Sequence, residues 1–215
     1  MDASAGLQVC QAYDSITGVE NARTGVQKRI VEAAISCIEK DGLAGATIRG
    51  IARKAGVNSA AISYYFRSKE ALMKEALATS LENAFGDWEV LLRQRVPDSK
   101  TRVRSVLLEV LEGSLKFPGI VKAHLYDTFI NGTSRTMFIT RFAKFLAALT
   151  RERGGLFPDR SVRQIGSDVV QMVSAVLLPG ILPQLFRRAA GVDLTRADTR
   201  AAFVDSLIER FFQES

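Results

Sequence analysis

One histidine, His124, and two cysteines, Cys10 and Cys37, are all the imidazole and thiol that 215 residues carry. One imidazole with two distant thiols does not make a metal site, and two thiols make no disulfide framework of the kind that staples secreted domains. A reducing, cytoplasmic setting is the simpler expectation. The chain lacks the glycine-rich phosphate loops, the G-x-S-x-G elbow, the H-E-x-x-H helix and paired C-x-x-C motifs, so nucleotide hydrolysis, redox chemistry and hydrolysis have nothing to rest on. No catalytic role, no cofactor and no metal is expected. The start of the chain has no basic segment followed by an apolar run. The most apolar later stretch, Val169 to Phe186, is interrupted by Gln171, Ser174, Pro179, Gly180, Pro183 and Gln184, which suits a buried helix and gives no membrane partner. Alternating apolar and polar runs with hairpin turns are missing as well, as are internal repeats, and the expected fold class is all-α.

What is present is the composition of a folded protein, 47% hydrophobic and 24% charged, with a formal net charge of +6. That excess makes an anionic partner worth seeking. It is not spread evenly. Between Thr24 and Glu70 there are eight Lys or Arg against four Asp or Glu, whereas residues 71–215 carry the same excess over three times the length.

Residues 1–23 have few large apolar residues at any period and are expected to form a flexible N-terminal extension. Thr24 with Gln27 has capping-box spacing, and Val26, Ile30, Ala33, Ala34, Cys37 and Ile38 then recur with helical period until Asp41-Gly42. Thr47 to Glu70, TIRGIARKAGVNSAAISYYFRSKE, holds two short helices: Thr47 caps the first, Ala55-Gly56 stops it, and Asn58 caps the second. The second is about two turns long and leaves Ser59, Ala60, Ser63, Tyr64 and Tyr65 without a packing role. Ser68 opens a long helix, Asp98 and Ser161 cap later ones, and breaks fall at Val96-Pro97, Phe117-Pro118-Gly119, Asn131-Gly132, Gly154-Gly155, Pro179 and Pro183. From Leu194 onward, Phe203-Val204, Leu207-Ile208 and Phe211-Phe212 recur every four residues.

The ordered set formed by Thr47, Ile51-Ala52, Ala55-Gly56-Val57, Tyr64-Tyr65-Phe66 and Ser68-Lys69-Glu70-Ala71-Leu72, behind a capped first helix, resembles the DNA-binding domain of the TetR family of bacterial transcriptional regulators. The resemblance covers Thr24 to Leu77, about a quarter of the chain. It implies a three-helix helix-turn-helix domain over residues 24–70, and a helical effector-binding and dimerisation domain over residues 71–215. The implied function is a homodimeric repressor that binds double-stranded DNA at a palindromic operator and is released by a small-molecule effector. In such a motif the second helix enters the major groove, with its first residues facing base edges. Ser59, Ala60 and Ala61 allow close backbone approach. Tyr64 and Tyr65 suit phosphate through their hydroxyls, and Lys69 at a helix start attracts it. By resemblance Thr47 also holds phosphate and Arg49 reaches a base or the backbone. Two departures stand out: Gly50 inside a helix, at about 1 kcal/mol relative to Ala, and Ser63 where the family often has tyrosine or asparagine.

For the rest of the chain, Trp88, Phe117, Phe129, Phe138 and Phe142, with the polar His124, Tyr126, Asn131 and Arg141 among them, are the candidates for an effector site. The same aromatic set could instead be ordinary core. The broad stripes of the last two long helices, Val169, Met172, Val173 and Val176 with Phe203, Val204, Leu207, Ile208 and Phe211, together with the family's habit of pairing these helices, point to a homodimer interface. A rival reading without DNA is an all-helical module whose basic face serves an acidic protein.

Overall fold

A computed structural model describes residues 4–93, 98–133, 135–151 and 161–212, with the side chains of 4–24, 127, 151 and 162 outside that description. The expected breaks at Val96-Pro97 and Gly154-Gly155 lie outside the described residues. Among those residues the regular structure is entirely helical: α1 (Ser4–Gly45), α2 (Ile48–Ala55), α3 (Ser59–Tyr65), α4 (Lys69–Arg93), α5 (Ser99–Lys116), α6 (Pro118–Ile130), α7 (Met137–Arg151), α8 (Val162–Ile181), α9 (Pro183–Ala190) and α10 (Ala197–Phe211). Two compact units divide the chain, Met1–Ala76 and Leu77–Ser215.

In the first unit, the backbone of α1 continues through residues 4–23, where sequence alone suggests an extension and a helix start at Thr24. Extending a helix that is already nucleated fixes one residue per hydrogen bond, so a segment without a core role can still prolong it. The stop at Gly42 is as expected, with φ 75° and ψ 170°. Ile30, Ala34 and Ile38 of α1 are fully buried together with Ile51 of α2, and Ile62 of α3 is 1% exposed. Burying that last side chain contributes about 2 kcal/mol. It is the one residue of α3 that is fully withdrawn from water.

The second unit is built around α5 and α8, which pack along each other with α7 and α10 against α8. Asp98 caps α5 through the Thr101 amide at 2.7 Å, and Ser161 forms a full capping box with Gln164 at the start of α8. Val106, Val110, Leu111, Val176 and Val204 are completely buried between these helices. Gly180 makes the α5–α8 approach possible, because a Cβ there would sit 2.5 Å from the Cβ of Ser114. Ser114 in turn gives its hydroxyl proton to the Val110 carbonyl, so this buried hydroxyl is satisfied. Pro179 lies within α8 and Pro183 begins α9, which turns the expected bend into one continuous helix and one new one. By length and composition Arg163–Ile181 is apolar enough to cross a membrane, with 39% of that window buried inside the chain. Its inward side belongs to the core of this unit.

Candidate nucleic-acid interface

Each turn of the two-helix motif is closed by a local hydrogen bond. Thr47, extended at φ −104° and ψ 149°, accepts the Gly50 amide on Oγ1 at 3.1 Å. A Cβ on Gly50 would lie 3.1 Å from that same oxygen, so the glycine inside α2 keeps the cap open at the expense of helix propensity. At the far end Gly56 is left-handed, φ 66° and ψ 36°, and the Val57 amide reaches back to the Ala52 carbonyl at 3.0 Å. These are the bonds of a Schellman stop. Two residues later Asn58 starts α3 by accepting the Ala61 amide on Oδ1 at 2.8 Å. The turn between α2 and α3 is therefore fixed from both sides.

This geometry decides what α3 presents. Ser59, Ala60, Ser63 and Tyr64 are exposed, Ala61 and Tyr65 half-buried, and Phe66 closes the helix from within the core. Tyr64 and Tyr65 meet edge to face at 5.2 Å between ring centroids. Ser63 donates its hydroxyl proton to the Ser59 carbonyl at 3.3 Å. Thr47 and Arg49 are exposed at the start of α2. Lys69 heads α4, with its ammonium 3.5 Å from the Ala44 carbonyl, and beside it the Glu70 carboxyl is held below its ordinary value by its own backbone amide and by the Ser68 hydroxyl. All nine residues expected at a nucleic-acid surface belong to one short run of chain, and none is fully buried. Exposed Arg53, Lys54 and Arg67 add cations to that run that the motif reading passed over; their only sequence signal was the local charge excess.

The candidates in the second unit divide. Trp88, His124, Phe138, Arg141 and Phe142 come together around Phe85: its ring centroid lies 4.6 Å from Trp88 and 6.5 Å from Phe138 and from Phe142, the Arg141 guanidinium stands 5.7 Å over its face, and His124 stacks on Phe138 at 6.0 Å. Phe117, Tyr126, Phe129 and Asn131 are exposed and are not part of that cluster. His124 shares a 2.9 Å hydrogen bond with Ser80, and Arg141 pairs with Glu82 at 2.8 Å. Burial pushes the His124 pKa down to about 4, so the ring is neutral near neutral pH. Ser80 and Glu82 lie 44 and 59 residues from their partners, and no periodicity announces such pairs.

The expected interface residues divide by their burial within the single chain. Val169, Met172, Val173, Val176, Val204 and Ile208 are each at most 3% exposed within a single chain. An apolar stripe is first satisfied by the nearest helices of its own unit, here α5 and its neighbours, and these six side chains belong to that core. Phe203, Leu207 and Phe211 are half-buried at the edge of the same core. Val103, Val106, Leu107, Leu149, Val169, Met172 and Val173 line a void of about 10 Å³, room for at most one water.

A rigidly capped helix pair whose second member is short, small at its start and exposed defines a helix-turn-helix DNA-binding protein. Comparison with known proteins names the kind. Residues 30–76 match the family described as bacterial regulatory proteins, tetR family. The HTH-type transcriptional regulator BetI of Stenotrophomonas maltophilia (strain R551-3) is 29% identical over 126 residues, 59% of this chain and 56%, about half, of that protein. The BetI of Burkholderia cenocepacia (strain J2315) is 23% identical over 193 residues, 84% of this chain and 92% of the other. Among solved structures, a TetR-family transcriptional regulator from Mesorhizobium loti superposes with a TM-score of 0.63 at 15% identity, covering 88% of this chain and 96% of that one. FadR of Bacillus subtilis, in complex with stearoyl-CoA, gives 0.56 at 14% identity over 85% and 95%. The chain carries a tetR-family DNA-binding domain over residues 30–76 and is a DNA-binding transcription regulator with an all-helical fold.

Proposed function

We propose that this regulator is a cytoplasmic, homodimeric repressor without catalytic activity, which binds a palindromic operator and leaves it when a small molecule binds residues 71–215. The observation that carries the reading is the exposed, small-residue start of α3 on a turn capped from both sides. Each subunit places Ser59, Ala60 and Ala61 against base edges in one major groove, the two α3 helices about 34 to 36 Å apart or a multiple of that. Thr47 has its cap bond on a lone pair and still has a proton for a phosphate oxygen. Ser63 spends its proton on Ser59, so toward a base it is an acceptor and favours the amino groups of adenine or cytosine. Arg49, Tyr64, Tyr65 and Lys69 hold the backbone.

A second copy fits the outward side of α8 better than the inward one. Val170 is 56% exposed and Leu178 51%, with the exposed Ser174 midway between them one turn from each, and Leu182 and Leu185 continue the apolar strip. Support for an effector comes from the fold likeness to a regulator solved with stearoyl-CoA. Release is a population shift: an effector that prefers the subunit shape with wrongly spaced α3 helices lowers operator affinity tenfold for a difference of about 1.4 kcal/mol.

The test is a gel shift with the DNA upstream of the protein's own gene, titrated with salt. Sequence-selective binding that weakens with salt is expected, and Lys69→Ala should lower affinity for every sequence and flatten the salt slope by about one unit. Absence of binding at low salt would favour the acidic-protein module instead.

A further inference from the structure

Around Phe85 the second unit holds more hydrogen-bonding capacity than it uses. The Nε atom of Arg141 and the hydroxyl of Thr128 are buried with no hydrogen-bond partner among the described residues, and Thr128 lies one turn beyond His124 on α6. Arg141 meets Glu82 through a single terminal nitrogen, so the second prong of its guanidinium fork carries no bond to a carboxylate among the described residues. The Glu82 side chain is 63% exposed and that of Arg141 only 26%. The anion of this pair is thus the member that water readily takes back, and the cation is the member built into the protein. The Ser80 hydroxyl lies 2.9 Å from both the Leu77 carbonyl and His124 Nε2, so one ring nitrogen of His124 is tied to α4.

We propose that the effector is a small amphipathic carboxylate whose carboxylate takes the Arg141 fork in place of Glu82, while its apolar body lies against Phe138 and Phe142. This deepens the reading of an effector-released repressor and rests on it. Aromatic rings alone would equally suit a quaternary ammonium, which prefers ring faces. Here the Phe85 face is already occupied by the guanidinium, and a second cation would meet it at close range. A neutral apolar ligand would leave the Nε donor as unsatisfied as it is without a ligand and gain nothing from it. A carboxylate answers both prongs at once with a single charge and a planar head that matches the guanidinium plane. The Thr128 hydroxyl is available to a further hydroxyl of the ligand. Glu82 belongs to α4, the helix that begins at Lys69 within the N-terminal unit, so the bond that is lost is one made by the helix leading to the DNA-binding motif.

Trp88 is the only tryptophan of the chain and meets Phe85 edge to face, so its fluorescence reports on the site. The full-length protein would be titrated with 4-phenylbutyrate and octanoate, and in parallel with 4-phenylbutyramide and benzyltrimethylammonium. Saturable quenching by at least one carboxylate, at least about tenfold tighter than by the amide or the cation, is expected. Arg141→Gln should erase that preference, with helix content and melting temperature checking the fold, and Glu82→Gln should tighten carboxylate binding. No saturable carboxylate binding, tighter binding of the cation, or a preference that survives in Arg141→Gln would overturn the proposal. Operator binding is read separately by gel shift. Carboxylate binding that leaves operator affinity unchanged would count against effector release while keeping the site, and release by the cation alone would do the reverse.

Discussion

The two units solve the same problem of fixing helices with different means. In Met1–Ala76 order is local: Thr47, Gly56, Asn58 and Ser68 each close a helix end within a few residues, and α3 needs one fully buried side chain, Ile62, to sit still. In Leu77–Ser215 order is distant. The core joins α5, α7, α8 and α10, and the polar ties Ser80–His124, Glu82–Arg141, Arg200–Glu112 and Arg104–Asp205 span 44 to 101 residues. A surface that reads DNA needs its side chains outside and its backbone rigid, which caps supply cheaply. A region that responds to a ligand needs contacts that can be exchanged, and exchangeable contacts run between elements.

The largest test of this contrast lies within α8, whose two sides are assigned opposite roles. Val176→Asp places a carboxylate in a fully buried position among α5 and α10, with no partner, and should cost on the order of 4 kcal/mol or more, seen as loss of the cooperative thermal transition. Leu178→Asp, two residues on and half exposed, should keep the melting transition of the monomer nearly unchanged while reducing the mass on sizing to that of one chain. If Leu178→Asp remained dimeric, or if Val176→Asp gave a folded monomer, the assignment of inner and outer faces would be reversed.

A smaller effect separates the units by pH. The unfolded chain takes up a proton at His124 near its ordinary value of 6.5, whereas burial delays that step in the folded chain to about 4. Between these values the unfolded state binds more protons, so the contribution is full above 6.5 and is lost as pH falls through the window, by at most roughly 3 kcal/mol. Asp98, held low by the Thr101 amide, and Asp205, held low by the Arg104 side chain, act only at lower pH. Urea midpoints should therefore fall from neutral pH toward pH 4 in the native protein and stay flatter in His124→Phe. Parallel curves for the two proteins would mean that some other group carries the acid sensitivity.

The same contrast explains what could be read from residues alone. Caps at Thr47, Asn58, Ser68, Asp98 and Ser161, the glycine stops and the exposed face of α3 were legible because each depends on neighbours within four residues. The apolar period of α8 and α10 was legible as well, yet it does not say which partner covers the stripe, and six residues expected between subunits lie inside one. An apolar helix that is covered on one side by its own unit and offers Val170 and Leu178 on the other has no phase that marks the difference. Likewise His124 and Arg141 were singled out for polarity among aromatics, but their partners Ser80 and Glu82 sit in an ordinary amphipathic helix. Only folding brings them near.

The smallest predicted effect returns to the local kind of order. Asn58→Ala removes the acceptor for the Ala61 amide at the first turn of α3 and should lower stability by about 1 kcal/mol, since one capping bond is lost and water replaces part of it. A helix of seven residues has little else to hold its first turn, so that turn frays while Ile62 stays anchored. Ser59 and Ala60 lie in the frayed turn. Operator affinity should therefore drop by more than the thermal shift alone accounts for, and chiefly in sequence-selective binding, because the phosphate contacts proposed for Thr47 and Lys69 would come from other helices. Gel shifts on operator and random DNA, read beside the melting curve, separate the two. An equal loss on both DNAs would show that the start of α3 contributes position rather than sequence reading, and would move specificity toward Ser63 and Arg49.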